Sequence, residues 1–285
     1  MANRVILHFV QKKQKVQRTA AQLRNHFEVE RELAARVLSS NREERKILLP
    51  ALYQELFSRV PDHPRLTRQI TPEMSSAAIE ARLRILRPHL KKNLNFLEFA
   101  AGDCALSYAV CPFVESVTAV DISDQRALSA SEPENFNFLL YDGYKLDVDD
   151  ASVDMVFSYQ FLEHLHPEDI GIHFQNASRI LRDGGGYIFD TPHRFSGPHD
   201  IAGVFGNELE CLHFQEWTYR EMFHLLRKHG FTRCFSYAGG KVRKSRVANL
   251  LKLSVEGVIG VLPHNWSKRC SSRIFQGVTI MAVKG

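Results

Sequence analysis

Hydrophobic and polar positions follow two different periods along this chain, and the change between them divides it. From Ala20 to Leu38 apolar residues fall at helical spacing. Ser40-Asn-Arg-Glu43 then forms a capping-box pattern ahead of a second helical stretch with Ile47, Leu48, Leu52, Leu56 and Phe57. A residue before proline is driven out of helical geometry, so this helix is expected to end near Val60, before Pro61. A further helix is expected over Pro72 to Leu86. Beyond it the period shortens. Leu94 to Phe99, Val117 to Val120, Phe136 to Tyr141 and Val153 to Ser158 have the length and apolar density of buried strands. Ile180 to Asp190 reads as a helix end, a turn at Gly184 to Gly186 and a fifth strand. After a loop-rich stretch, Phe214 to Gly230 reads as a helix, Phe231 to Tyr237 as a sixth strand and Ile274 to Val283 as a seventh. The expected architecture is α/β: a Rossmann-like, mostly parallel seven-stranded sheet with an antiparallel last strand, and an N-terminal helical extension.

Two long segments fall outside that alternation. Thr191 to Trp217 is too long for an ordinary connection and leaves the carboxyl end of a strand, where open α/β sheets bind ligands. A lid over residues 191–216 is expected there, to which we assign acceptor recognition. Residues 241–273 form an inserted helical segment with a basic start and an apolar body, Leu250 to Leu262. Core packing is its expected role, with a lipid-facing helix as the alternative. The domain reading is therefore residues 1–90 as a helical cover and 91–285 as the main domain.

Composition sharpens this picture only in part. A hydrophobic share of 44% suits a globular chain. No apolar run approaches the ~20 residues of a bilayer span, and Val5 to Val10 is short and interrupted by His8; a cytoplasmic protein is the expectation. The five cysteines include no Cys-x-x-Cys pair and read as reduced thiols. Charge is unevenly distributed. Residues 1–92 hold 19 basic and 9 acidic side chains, 93–200 hold 5 and 18, and 201–285 hold 13 and 5, so +10, −13 and +8 give the net +5. Basic flanks against an acidic centre are read as surface and packing charge, with recruitment of an anionic acceptor as the sharper alternative. Residues 1–27 hold six basic and no acidic residues, which also fits a transit peptide or a surface anchor.

The chemistry is concentrated at Glu98-Phe-Ala100-Ala-Gly102-Asp103-Cys104 and at Asp121, about twenty residues on. A turn of small residues lets backbone approach a ligand, and a carboxylate ending the next strand accepts the two hydroxyls of a ribose. A dinucleotide site wants three glycines for its pyrophosphate, and Asp103 would repel one. The segment resembles the first motif of class I S-adenosylmethionine-dependent methyltransferases, with Glu98 at the acidic position and Gly102 at the central glycine, while Ala100 and Cys104 replace the outer ones. Asp142-Gly143 after the third strand, Ser158 on the fourth and Glu163-His164-Leu165 beyond it extend the resemblance. It implies S-adenosylmethionine as cofactor. The implied contacts are Glu98, Ala100, Gly102, Asp103, Asp121, Ile122, Asp142, Gly143 and Ser158, with helical segments covering the site.

The expected reaction is methyl transfer to a small-molecule acceptor, most simply a hydroxyl of a sugar or natural-product scaffold. A histidine is the natural base. His164 follows the fourth strand directly, and His193, His199 and His213 on the lid are its rivals. Glu163 to Asp169 also has metal-ligand residue types, but Pro167-Glu-Asp is a plain helix start, and no metal is assigned. The alternatives are an RNA methyltransferase using the basic flanks and a binding protein without catalysis. The first is weakened by Ser158-Tyr-Gln-Phe161, which lacks the Pro-Pro-aromatic motif of base amino methyltransferases.

Overall fold

Strands covered by helices on both faces must be apolar at almost every position, and β1 (Asn95–Phe99), β2 (Ser116–Asp121) and β4 (Val153–Tyr159) are buried along most of their length. The structure is a computed structural model that describes residues 18–67, 72–126, 132–238, 240–275 and 277–285. The basic tail through residue 17, with the Val5 to Val10 run, lies outside the described residues. With β3 (Phe136–Leu140), β5 (Leu181–Thr191), β6 (Phe231–Ala238), β7 (Lys241–Arg243) and β8 (Val278–Lys284) the strands form one sheet in the order β3-β2-β1-β4-β5-β8-β6-β7. β1 pairs parallel with both β2 and β4, so the order reverses between them and leaves a crevice beyond their carboxyl ends. β8 is antiparallel to β5 and β6.

The sheet has eight strands among the described residues, one more than expected. β7 is three residues of mostly exposed, charged chain on the outer edge, too short and polar to leave a strand pattern. The glycine run also differs from the reading. The helix before it ends at Ile180, and Gly184 to Gly186 lie within β5, where pairing jumps from Val153 with Leu181 to Met155 with Gly186. The glycines therefore occupy an irregularity in the strand.

One face of the sheet is packed by α3 (Pro72–Leu86) and α4 (Ala105–Val110), whose Leu83, Leu86, Leu106 and Val110 meet Phe96, Phe157 and Ile188. The other is packed by α5 (Ile170–Ile180) and α6 (Tyr219–Lys228) through Phe174, Ala177, Met222 and Leu226. The first two helices do something else. α1 (Ala20–Leu38) and α2 (Arg42–Arg59) bury Val29, Leu33, Leu52 and Leu56 against Leu212 and Phe214 of the lid. The capping box of α2 is Asn41 with Glu44, one residue beyond the sequence reading.

A buried cation fixes this cover to the main domain. Arg45 is 1% exposed. Its guanidinium lies 2.9 Å from Asp169 and 3.1 Å from Glu168, and donates to the Ser40 carbonyl at 2.5 Å. Tyr144 donates to Asp169 from the other side. Removing the cation leaves the buried Asp169 carboxylate with the more distant Arg42, at 3.5 Å, as its cationic partner, so Arg45→Met is expected to cost about 3 kcal/mol. Urea unfolding of the two proteins measures it. Much other basic charge in this region is likewise paired internally, as in Arg18 with Asp62 and Arg59 with Glu32.

The inserted segment folds as α7 (Arg246–Gly260) and α8 (His264–Ile274). Its inward face is held by polar contacts. Glu256 accepts from the backbone of Tyr219 and Arg220 at the start of α6, Asn249 accepts from Ser236, and Lys252 donates to the Tyr237 carbonyl. The apolar body divides: Ile259 and Leu253 pack into the core as expected, while Leu250, Leu251, Val255, Val258 and Val261 are exposed.

Candidate active site

The turn after β1 shows why three glycines are usual at such a place. Ala100, Gly102 and Cys104 have φ of 54°, 57° and 59°, all in the left-handed region that costs a side chain roughly 1–2 kcal/mol. Only the middle position is glycine. The backbone needed for a close approach to ligand is thus kept, with strain at two alternate residues. Because the Ala100 side chain is exposed, Ala100→Gly removes strain at little loss of packing. We expect it to stabilise the protein by about 0.5–1 kcal/mol after the larger unfolded-state entropy of glycine, read as a raised Tm.

Acidic groups surround this turn. Asp121, at the carboxyl end of β2, accepts the Gly102 N–H at 2.9 Å through one oxygen and the Ser123 N–H at 3.1 Å through the other. A carboxylate has about four lone-pair sites, so both oxygens retain acceptor capacity. Glu98 is buried beneath the turn and accepts from Ser107 at 2.5 Å; burial pushes its pKa up to about 7 despite that bond. Asp103 is exposed and accepts the Ala105 N–H at the start of α4. No protein atom lies within 4 Å of where a Cβ would stand on Gly102. An open turn, a strand-end carboxylate and no free phosphate cradle suit an adenosyl group carrying a cationic sulfonium and amino acid better than a diphosphate. The residues present fit S-adenosylmethionine.

Other sequence-selected positions lie at varying distance from this centre. Ile122 follows Asp121 and is half-buried. Asp142 is exposed, and one of its oxygens accepts the backbone of Tyr144 and Lys145 while Gly143 turns the chain at φ 88°. Ser158 is fully buried, its hydroxyl 2.7 Å from the Tyr187 hydroxyl, which also meets His173. One residue beyond the sequence reading is notable: Arg82 of α3 lies over the Tyr159 ring at 4.4 Å, close enough to Glu98 to oppose its rise in pKa. A lone arginine in a helix leaves no motif by which to find it.

A second polar cluster stands where the chain leaves β4. The backbone carbonyl of Glu163 accepts the Phe214 N–H, which draws the lid across the loop, and ligand-type atoms of Glu163, His164 and His213 lie within 4.8 Å of one another. One Glu163 oxygen accepts from Thr191; the other is buried without a partner, and burial raises the group's pKa to about 7. Burial, with His213 nearby, lowers His164 to about 3, and its Nδ1–H donates to the Leu212 carbonyl. That imidazole is neutral and only weakly basic. His213 behaves oppositely. Burial would lower it, but the Glu216 hydrogen bond at 3.0 Å and the charges of Glu163 and Asp200 outweigh this and hold its pKa above 6.5. Glu216 is itself held down to about 2, against its burial, by His199 and His213.

The lid histidines thus separate by environment. His199 is bound to Glu216 and Ser196. His193 is fully buried, lies 2.9 Å from Glu256 and 3.1 Å from Ser271, and stacks on Phe275, so it joins the lid to α7 and α8. Tyr53 of α2 is buried nearby: burial chiefly raises its pKa, with Arg65 opposing and Glu30, Glu163 and Asp121 adding to the rise.

Residues 97–189 match the profile of the methyltransferase domain family. No curated protein sequence matches the chain. Among solved structures, a Haloferax volcanii putative methyltransferase, in complex with its Trm112 activator, is similar with a TM-score of 0.51 and 14% identity, over 75% of this chain and 94% of that one. A Burkholderia thailandensis 1,6-didemethyltoxoflavin N1-methyltransferase, solved with that compound and S-adenosylhomocysteine, reaches 0.51 at 18% identity over 86% and 91%. A Haemonchus contortus phosphoethanolamine N-methyltransferase reaches 0.51 at 18% over 71% of this chain and 43% of its own. At these identities the likeness is one of fold.

Proposed function

We propose that the chain is a class I S-adenosylmethionine-dependent methyltransferase, and that it methylates a hydroxyl of a small-molecule acceptor, such as a sugar or natural-product scaffold, with His213 as the base. The observation that supports this most is the His213–Glu216 pair beside Glu163. Its Nδ1–H is committed to a buried carboxylate, which leaves Nε2 as the lone pair and stabilises the imidazolium that forms.

Asp121 would take the ribose hydroxyls, the open turn at Gly102 would admit the adenosyl group, and Arg82 would be the cation for the methionine carboxylate. Bound there, the cofactor supplies an electrophilic methyl whose sulfur is already a good leaving group. The remaining work is done by the chain. It holds the acceptor oxygen in line with the carbon–sulfur bond and excludes water beneath α1, α2 and the lid. In that displacement sulfur would keep the carbon–sulfur electron pair, and His213 would take the acceptor hydroxyl's proton at Nε2. His164, expected as base from its position, is too weak a base in this environment to be assigned that role.

The pH dependence follows from sign. A base must be unprotonated, and the pKa of His213 is raised, so activity is expected to fall as pH drops through a value above 6.5. Glu216→Gln removes the chief raising partner and should move this acid limb to lower pH. The test is turnover of labelled S-adenosylmethionine against a panel of glycosides, phenols and amines across pH. Transfer to amines alone, with no such limb, would overturn the hydroxyl assignment.

A further inference from the structure

We propose that α7 and α8 form a docking surface for an anionic lipid bilayer, an inference independent of the acceptor assignment. A helix on a globular protein normally buries its apolar stripe and exposes its polar one. α7 does so only in part: Ile259 and Leu253 meet the core, and a second apolar stripe is left outside. Its polar residues Asn249, Lys252 and Glu256 point inward and are hydrogen-bonded to β6 and the start of α6. Val247, Leu250, Leu251 and Val258 lie outward at helical spacing and are each 62–65% exposed. Val261 and the Trp266 ring of α8 continue the surface. With its inner face fastened by polar contacts, the helix cannot roll to hide the outer one.

Charge selects the occupant. Residues 241–274 hold eight basic residues and one acid, Glu256, which is buried against His193. Among the described side chains, those of Lys241, Arg243, Lys244, Lys252, Lys268, Arg269 and Arg273 are not ion-paired, unlike Arg18, Arg45 and Arg59 on the N-terminal flank. Behind the stripe, between α6 and α7, a groove of about 340 Å³ is lined by Arg220, His224, Arg227 and Leu250. An apolar stripe with an interfacial tryptophan and a rim of unpaired cations matches the acyl boundary and headgroups of an anionic leaflet. A second copy of the chain would bring two basic rims together, which opposes self-association.

No helix of the described residues is long and apolar enough to cross a membrane, so the contact is one of lying on the surface. Two tryptophans report it, because Trp217 is 5% and Trp266 65% exposed. Full-length protein is mixed with phosphatidylserine–phosphatidylcholine vesicles or with phosphatidylcholine alone. We expect co-sedimentation and a blue-shifted fluorescence with the anionic vesicles only, weakened by salt. Trp266→Phe should abolish the shift, and Leu251→Asp or the pair Lys268→Glu and Arg269→Glu should weaken binding by about tenfold or more. Unchanged S-adenosylhomocysteine affinity in each variant verifies its fold. Absence of vesicle binding, binding equal on neutral vesicles, or a dimer that shields Trp266 would each overturn the proposal.

Discussion

Replacing His213 by Gln lowers turnover by roughly 10²- to 10⁴-fold, the range for losing a general base, and leaves affinity for S-adenosylhomocysteine within about twofold. Glutamine keeps a donor toward Glu216 and much of the volume packed against His164, whose ring is 4.9 Å away. What is lost is a lone pair whose basicity is tuned by Glu216, Glu163 and Asp200. The acid limb of the pH profile should vanish with it. Labelled-methyl kinetics and calorimetry separate the two quantities. A loss below about tenfold, or an equal loss of cofactor affinity, would show that His213 only braces the lid.

Asp121→Ala has the other large effect, on the cofactor. Two hydrogen bonds from ribose hydroxyls to a carboxylate contribute about 1.5–3 kcal/mol each, so affinity for S-adenosylhomocysteine should fall by about 10²- to 10³-fold or more. Asp121 also holds the Gly102 N–H, and part of any loss belongs to the turn. Asp121→Asn divides the two contributions. It retains an oxygen for Gly102 and loses the charge, so its expected loss is intermediate. Unchanged calorimetric affinity in Asp121→Ala would sink the assignment of this pocket.

The layers of the fold are legible in the sequence because strands and helices differ in period. Ala20 to Leu38 and Pro72 to Leu86 are helical where the apolar spacing places them. The strands beginning at Phe136 and Val153 end within a residue of their apolar runs. Boundaries fail where tertiary contacts intervene. Phe214 and Gln215 donate to the Glu163 carbonyl and do not start the expected helix, which begins at Tyr219 under a Thr218–Glu221 capping box. The seventh apolar run splits because Ile274 ends α8 and the strand starts at Val278. Side-chain chemistry is less legible still. The lid histidines are alike in a sequence, and only Glu216, Glu256 and Leu212, far apart along the chain, distinguish their protonation. α7 is legible only in part: Ile259 and Leu253 enter the core as its apolar count suggests, while Asn249, Lys252 and Glu256 hold its polar side inward and leave the other apolar residues exposed.

The bend at Ala100, Gly102 and Cys104 carries one more lesson. By letter, the loop lacks two of the three glycines such a bend usually has. By the sign of the torsion, the three alternate positions are alike whatever side chain they carry. The informative alphabet at this place is therefore handedness, and degenerate members of such groups are better sought by it than by spelling.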